Sequence, residues 1–346
     1  MLSQSPRQPQ ALLSSIVSYF KGAFVRHILV AGLFLILTSC SSVQAADARI
    51  RSAPLQSVSH QTKWIHGSAD CRSNADPAIE VFRYDQSSYV LRQNKCVSFE
   101  APFIYVLFGD EKVLVLDTGA TESALDFPLY KTVQSLIKEK AQQGGKTERE
   151  LLVIHSHSHS DHYAGDSQFE EKPNVTLVQP SGEALTRFYK FRNWPDDVAY
   201  IELGGRKLTV IPTPGHQEDA ITIYDSQTKW LLTGDTVYPG YIYIKDWDAY
   251  KNSIARLVKF AHEHEVISLL GAHIEMTEIP GEYYPIGTTY QPNEASLALP
   301  PDALEALNVA LAKSDAPSKI VFDDFIIVPM STFQKIISSV AKWFIQ

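Results

Sequence analysis

The sequence predicts an α/β (α+β) fold built as a four-layer αββα sandwich. Strand-like runs rich in Val, Ile, Phe and Tyr fall into two sets along the chain, and amphipathic helical stretches lie between and after them. The chain has 346 residues and is 45% hydrophobic, enough to bury a sizeable core. That composition excludes a disordered chain, a collagen-like repeat and a multi-span membrane protein.

The first forty residues contain Arg7, Lys21 and Arg26 and no acid. Ile28–Leu37 is an apolar run too short for a span of ~20 residues, and its basic, apolar, small order is that of a secretory signal. Leu37-Thr38-Ser39-Cys40 resembles a bacterial lipobox, which makes Cys40 the residue to be lipidated. Cleavage near Val43-Gln44-Ala45 and an uncleaved anchor helix are the other readings. The expectation is an exported, periplasmic lipoprotein that meets the membrane only through this leader or its lipid. Beyond residue 40 the chain holds 28 Lys and Arg against 39 Asp and Glu, a balance of −11 that disfavours nucleic acid as a partner. Cys71 and Cys96 are the cysteines left once Cys40 is taken. In an oxidising compartment they can pair, and two unrelated buried thiols are the alternative.

Residues 1–40 thus form a leader, 41–77 a polar linker and lead-in broken by Pro54, Gly67 and Pro77, and 78–346 the folded domain. In the first half, strands are expected over Ala78–Tyr84, Ser88–Gln93, Phe103–Phe108 and Lys112–Asp117, with Gly109-Asp110 turning between the last two. Leu129–Gln143 carries Val133, Leu136 and Ile137 at helical spacing and stops at Gly144-Gly145. Leu151–Ile154 is a short apolar strand running into His155, and Val175–Val178 precedes a helix around Gly182–Phe191. The second set comprises Lys207–Ile211, Ala220–Tyr224, Lys229–Thr233 and Val266–Leu270. Helices are expected over Asp248–His264, Pro301–Lys313 and Thr332–Phe344.

Four of the eleven histidines fall within His155-Ser156-His157-Ser158-His159-Ser160-Asp161-His162. Imidazole and carboxylate together suit zinc or another first-row metal. A strand end running into a loop turns His157 and His159 to one side, and the next turn directs Asp161 and His162 to the other. By itself the stretch also fits a solvated loop that binds metal incidentally. Three glycine turns, Pro214-Gly215-His216, Thr233-Gly234-Asp235 and Leu270-Gly271-Ala272-His273, each add a metal-competent side chain. Asp117-Thr118-Gly119 follows an earlier strand.

In this order the motifs resemble the metallo-β-lactamase fold superfamily, whose hallmark is His-x-His-x-Asp-His followed by a spaced His, Asp and His. The resemblance spans roughly residues 78–275 and implies the sandwich fold and a site for two metal ions. It places His157, His159 and His216 on the first metal, Asp161, His162 and His273 on the second, and Asp235 between them. Zinc is the implied cofactor, with iron or manganese as alternatives. Asp117 would fix ligands from behind, and His155 lies outside the family pattern. The implied chemistry is a hydroxide shared by two zinc ions attacking an ester, lactone, thioester or amide carbonyl of a small molecule. Asp161 would orient it and pass a proton.

The fold alone does not name the substrate. Zinc β-lactamases usually have cysteine or no ligand where this chain has Asp235, which lowers that alternative. The glutathione-binding pattern of glyoxalase II is not recognisable after His273. A mononuclear-iron sulfur dioxygenase is a rival of a different class. Tyr238, three residues after Asp235, resembles the tyrosine with which acyl-homoserine lactone lactonases contact the substrate carbonyl. The other reading is one more packed aromatic among Tyr238, Tyr241 and Tyr243. Glu282–Pro285 and Thr288–Tyr290 are expected to return over the cleft as a substrate loop, while His60, His66, His262 and His264 have no role beyond a linker or a solvated helix end.

Overall fold

The computed structural model describes residues 50–52, 62–144, 146, 148–332 and 334–335. Contacts divide the chain after Ala45, and every described residue belongs to the unit that follows. The leader, Cys40 and most of the helix expected over Thr332–Phe344 lie outside the described residues. Among those described, no helix is long and apolar enough to cross a membrane.

Seven strands form the first sheet in chain order: β1 (Ile50–Ser52), β2 (Ile79–Arg83), β3 (Ser88–Gln93), β4 (Phe103–Phe108), β5 (Lys112–Leu116), β6 (Glu150–Ile154) and β7 (Val175–Leu177). Strands β2 to β5 pair antiparallel, β3 and β4 through the longer loop of residues 94–102, whereas β5 and β6 run parallel. The crossover between them is helix α1 (Leu129–Gln142). A parallel pair needs such a long connection, and the helix covers the sheet it crosses. Next come β8 (Ala199–Glu202), β9 (Lys207–Pro212), β10 (Ile221–Asp225), β11 (Trp230–Gly234), β12 (Tyr241–Ile244), β13 (Ser268–Gly271) and β14 (Ala298–Leu299). All of these except β12 form a six-stranded sheet ordered β14-β13-β11-β10-β9-β8, and β11 and β13 are parallel. Strand β12 leaves it for a third, three-stranded sheet with β15 (Ile320–Val321) and β16 (Ile326–Pro329).

Alternation along each strand separates the layers. From β5, Leu114 and Leu116 face inward with Leu152 and Ile154 of β6, meeting Ile223, Leu232 and Leu270 from the second sheet. Val113 and Val115 face the other way, onto Leu129, Val133, Leu136 and Ile137 of α1. On the far side, Tyr224, Leu231 and Leu269 pack against Tyr250, Ile254 and Leu257 from one helix and Leu304, Leu307 and Leu311 from another. Those helices span Trp247–Glu263, opened by Asp246 accepting from the Ala249 amide, and Asp302–Lys313. The expected four layers are therefore present, in the expected order.

Strands β1, β8, β12 and β14 to β16 are absent from the sequence-based reading. The segment read as linker also does more than lead in. Trp64 packs edge-on against Phe82 and Phe103 inside the sandwich, and the Gly67 backbone bridges to Tyr290. Cys71 and Cys96 form a disulfide, Cα–Cα 5.1 Å, which clips this segment to the loop before β4.

Candidate metal centre

Every expected metal-site residue leaves the end of a strand or the turn beside one. Asp117 follows β5, the histidine stretch follows β6, His216 lies between β9 and β10, Asp235 follows β11 and His273 follows β13. The two parallel pairs, β5 with β6 and β11 with β13, end at the same edge of the sandwich. The sheets are drawn together there. Ile221 N donates to Ser156 O at 2.8 Å and Phe103 N to Ala272 O at 2.7 Å. Gly234 has φ +51, and a Cβ there would lie 2.6 Å from Ser156 Cβ, so only glycine lets β11 approach the histidine stretch.

The side chains converge as two groups. His157, His159, His216 and Asp235 form one, and Asp161, His162 and His273 the other, the candidate ligand atoms of each lying within 4.8 Å of one another. In the first, His159 Nδ1 is 2.9 Å from His157 Nε2 and 3.1 Å from His216 Nε2. In the second, Asp161 Oδ2 is 3.3 Å from His162 Nε2 and 3.2 Å from His273 Nε2. Asp235 stands between them. Its Oδ2 is 3.6 Å from His216 Nε2, while Oδ1 is 3.5 Å from His273 Nε2 and 3.6 Å from His162 Nε2.

Each ring is aimed by its other nitrogen. His216 Nδ1 meets the Tyr243 carbonyl at 2.8 Å, and His273 Nδ1 the Glu100 carbonyl at 3.0 Å. His162 Nδ1 meets Asp117 Oδ2 at 2.9 Å. The same carboxylate accepts from Ser156 N at 2.7 Å and Ser156 Oγ at 2.9 Å. Asp117 has φ +71, a left-handed conformation unusual outside glycine, held where it braces the histidine stretch. His159 turns its Nε2 to Gln217. His155 belongs to neither group: Nδ1 faces the Val178 carbonyl at 3.0 Å and Nε2 faces Asp166 Oδ1 at 2.8 Å, within the fold.

The electrostatics match a cation. Burial, reinforced by the neighbouring rings, holds His157 well below its ordinary value, and it pushes His159 down to about 3. These rings stay neutral, the form in which imidazole binds metal. In the second group burial opposes charge but the carboxylates outweigh it. Asp161, Asp117 and Asp235 raise His162 well above its ordinary value, and Asp235 with Asp161 raises His273 to about 9. Burial likewise disfavours the charge on Asp161 and Asp235, yet the facing imidazoles keep both carboxylates ionised. Positive charge is thus demanded between these acids, and a bound cation takes the place of the protons. Asp235 Oδ1 is buried and accepts no hydrogen bond, which leaves it free to ligate. The donor set fits two metal ions.

Comparison with known proteins bears on the same residues. The family model of the metallo-beta-lactamase superfamily matches residues 98–287, which include all seven candidate ligands. The chain belongs to the metallo-beta-lactamase superfamily. It is a hydrolase of that superfamily. Acyl-coenzyme A thioesterase MBLAC2 of Bos taurus is 28% identical over 207 residues, covering 49% of this chain and 72% of that protein. A hydroxyacylglutathione hydrolase of Rhizobium meliloti (strain 1021) is 25% identical over 177 residues, covering 47% of this chain and 64% of that one. A metallo-beta-lactamase from Pontibacter korlensis superposes with a TM-score of 0.43 at 16% identity, covering 68% of this chain and 100% of that structure.

Tyr238 stands apart from the ligands. Its ring packs edge-on to His273 at 5.5 Å, and its hydroxyl donates to Glu275 Oε2 at 3.2 Å in a buried wall. The same Glu275 oxygen accepts from Tyr241 N at 2.8 Å. The sequence reading misses Glu275, Gln217 and Ser156. It also misses the carbonyls of Glu100 and Tyr243, for which side-chain identity carries no signal. The segment after His273 folds back on itself, with Tyr284 N donating to Glu275 O at 2.7 Å. It also straps onto the lead-in, where Ser68 N donates to Thr289 O and Gln291 N to His66 O. His262 pairs with Glu305 at the surface, and His264 stacks on Phe260 at 3.9 Å.

Proposed function

We propose that this protein is a dinuclear zinc hydrolase of small thioesters. The observation that carries the two-metal reading is Asp235, whose two oxygens face the two groups separately at 3.6 Å and 3.5 Å. His157, His159 and His216 would hold one ion, Asp161, His162 and His273 the other, with Asp235 shared. Neutral imidazole with carboxylate suits zinc better than a soft or an all-oxygen preference would. When bound, such a pair supplies acidified water as nucleophile at neutral pH and positive charge to polarise the carbonyl. The chain supplies the rest. Asp161 is ionised and close to both His162 and His273, placed to orient the attacking water, to accept its proton and to pass that proton to the departing thiolate. Tyr238 and Glu275 fix the wall beside His273 and so hold its ring at the substrate edge.

Among the possible carbonyls, thioesters are favoured because two kinds of similar protein, the acyl-coenzyme A thioesterases and the hydroxyacylglutathione hydrolases, are named for removing acyl groups from thiols. The second likeness stands beside a chain in which no glutathione-binding pattern follows His273. Export through the leader, with Cys40 as the lipid-bearing residue, belongs to this proposal. The Cys71–Cys96 disulfide supports it, being a bond that persists outside the cytosol. The test is hydrolysis of S-acetyl-N-acetylcysteamine by the zinc-loaded protein. Turnover that a chelator abolishes and added zinc restores is expected. Turnover unaffected by the chelator, or a protein that opens a β-lactam such as nitrocefin and leaves the thioester intact, would contradict the assignment.

A further inference from the structure

The third sheet builds a feature that the metal centre does not use. Strand β12 alternates, with Ile242 and Ile244 buried under the helical layer while Tyr241 and Tyr243 stay half-buried on the opposite face. Their rings are 5.3 Å apart, and Tyr283, from the segment after His273, packs on Tyr241 at 4.7 Å. Lys319, just before β15, sets its ammonium over Tyr241 at 5.0 Å and within 5.9 Å of the Tyr283 ring. Cation–π attraction of this kind is worth ~0.5–1 kcal/mol at an exposed site and fixes where the charge sits. Lys319 is exposed and forms no salt bridge among the described residues. An ammonium has three donors, and the rings occupy one side of it, so the other side is open to an anion.

This cluster is tied to both halves of the metal centre. The Tyr243 carbonyl holds His216, and the Tyr241 amide is bound by Glu275, two residues beyond His273. Glu275 accepts from Tyr238 and Tyr241 and forms no ion pair with Lys319 among the described residues. In a chain that carries a net charge of −8, an ammonium seated on aromatic faces with no acidic partner among the described residues is a local exception. Moreover, the family match ends at residue 287, so the lysine comes from a part of the chain outside it.

We propose that Lys319, seated on Tyr241 and Tyr283, is an anion-binding subsite of the cleft, so that the preferred thioesters carry a carboxylate or phosphate some distance from the reacting carbonyl. This rests on the thioesterase reading and names its substrate class. The tyrosine faces pack the substrate's linking atoms while the ammonium pairs with its charged end. Lys319 touches only the remote end of the substrate, so it governs binding and leaves the chemical step alone.

The test compares two acetyl thioesters on the zinc-loaded full chain, anionic S-acetyl-3-mercaptopropionate and neutral S-acetyl-N-acetylcysteamine. Lys319→Met keeps the apolar stem on the rings and removes the charge. It is expected to raise KM for the anionic ester about fivefold, with KM for the neutral ester and both kcat values unchanged. Lys319→Glu should raise the anionic KM further, by an amount that shrinks in about 0.5 M salt. Equal effects on the two esters, or none on the anionic one, would overturn the subsite. If the wild type hydrolyses neither ester, the thioesterase reading fails instead. The subsite is then tested by binding of the thioether S-propyl-3-mercaptopropionate, read through tyrosine fluorescence. Weaker binding by Lys319→Met supports it, and unchanged binding overturns it.

Discussion

Replacing Asp235 by Ala is expected to lower thioester turnover at least about a thousandfold, ~4 kcal/mol of transition-state stabilisation, while the fold persists. Among the described residues, Asp235 is the side chain whose oxygens reach both ligand groups, at 3.6 Å from His216 and 3.5 Å from His273. Without it the two groups share no ligand, and the buried imidazoles lose the charge that balances a cation. Little stability should be lost, because Oδ1 makes no hydrogen bond and the turn is held by its backbone, with Ala272 N donating to Gly234 O and Thr236 N to Thr233 O. Steady-state kinetics with circular dichroism of the same preparation decides the matter. Near-normal turnover in a folded variant would remove the bridging role, and a collapsed fold would remove the claim that the residue serves the site alone.

The second large effect concerns stability at a distance from the metal centre. Arg206 and Asp225 form an ion pair whose side chains are both fully buried, with Nε to Oδ1 at 3.1 Å and Nη2 to Oδ2 at 2.5 Å. The guanidinium also donates to the carbonyls of Ser87 at 2.8 Å and Phe108 at 3.2 Å and to Ser88 Oγ at 2.9 Å. One side chain thus fastens the β8–β9 turn and β10 of the second sheet to β3 and β4 of the first. Arg206→Leu leaves the buried Asp225 carboxylate without its cation, with only Gln227 and Thr228 still donating to it, and takes one donor from the Ser87 and Phe108 carbonyls, a loss of about 3–5 kcal/mol. Thermal unfolding should move down on the order of 10 °C. Burial opposes ionisation of Asp225, but Arg206 and Thr228 outweigh it and hold its carboxyl below the ordinary value. A depressed acid stabilises the fold above its unfolded value and loses that contribution as pH falls through the folded one. The gap between wild type and variant should therefore be full at neutral pH and narrow on acidification below about pH 4, where the stranded carboxylate is also neutralised. A shift of under 2 °C at neutral pH, against the order of 10 °C expected, would show that the pair is dispensable.

What the sequence reveals follows from how local each signal is. In Phe103–Phe108 and Lys112–Leu116 every residue but Lys112 is buried, and the β-branched and aromatic content marks both runs. The seven ligands are legible because four lie in one short stretch and each of the others follows a glycine turn by at most two residues. Strand β12 is not legible, since Tyr241–Ile244 reads as an aromatic loop until its partner β16 arrives from Ile326–Pro329. Strand β8 is a four-residue run alternating buried and exposed, too short to separate from a turn. Trp64 reads as part of a polar linker because, Ile65 apart, the residues around it in sequence are mostly polar, while its neighbours in space are Phe82 and Phe103. The aiming of His216 and His273 by the carbonyls of Tyr243 and Glu100 depends on backbone path alone. Asp117 and Asp166 show the same limit from the other side. Their types suggest hydrogen bonding, but only the fold assigns one to His162 and the other to His155.

The candidate ligands and the proposed anion subsite come from different parts of the fold. Ligands come from strand ends that the sandwich fixes, whereas Tyr241, Tyr243, Tyr283 and Lys319 come from β12, the return segment and the edge of β15. Sites on rigid strand ends hold chemistry constant, and the added sheet is free to vary what is held next to it.

The measurement that tests the central claim most directly is the metal content of the purified chain by elemental analysis. Two groups of ligands sharing Asp235 predict close to two zinc ions per chain, as set by the residues at each group. A protein isolated with one iron per chain and no second metal would contradict the dinuclear hydrolase and put the oxidation of persulfides in its place.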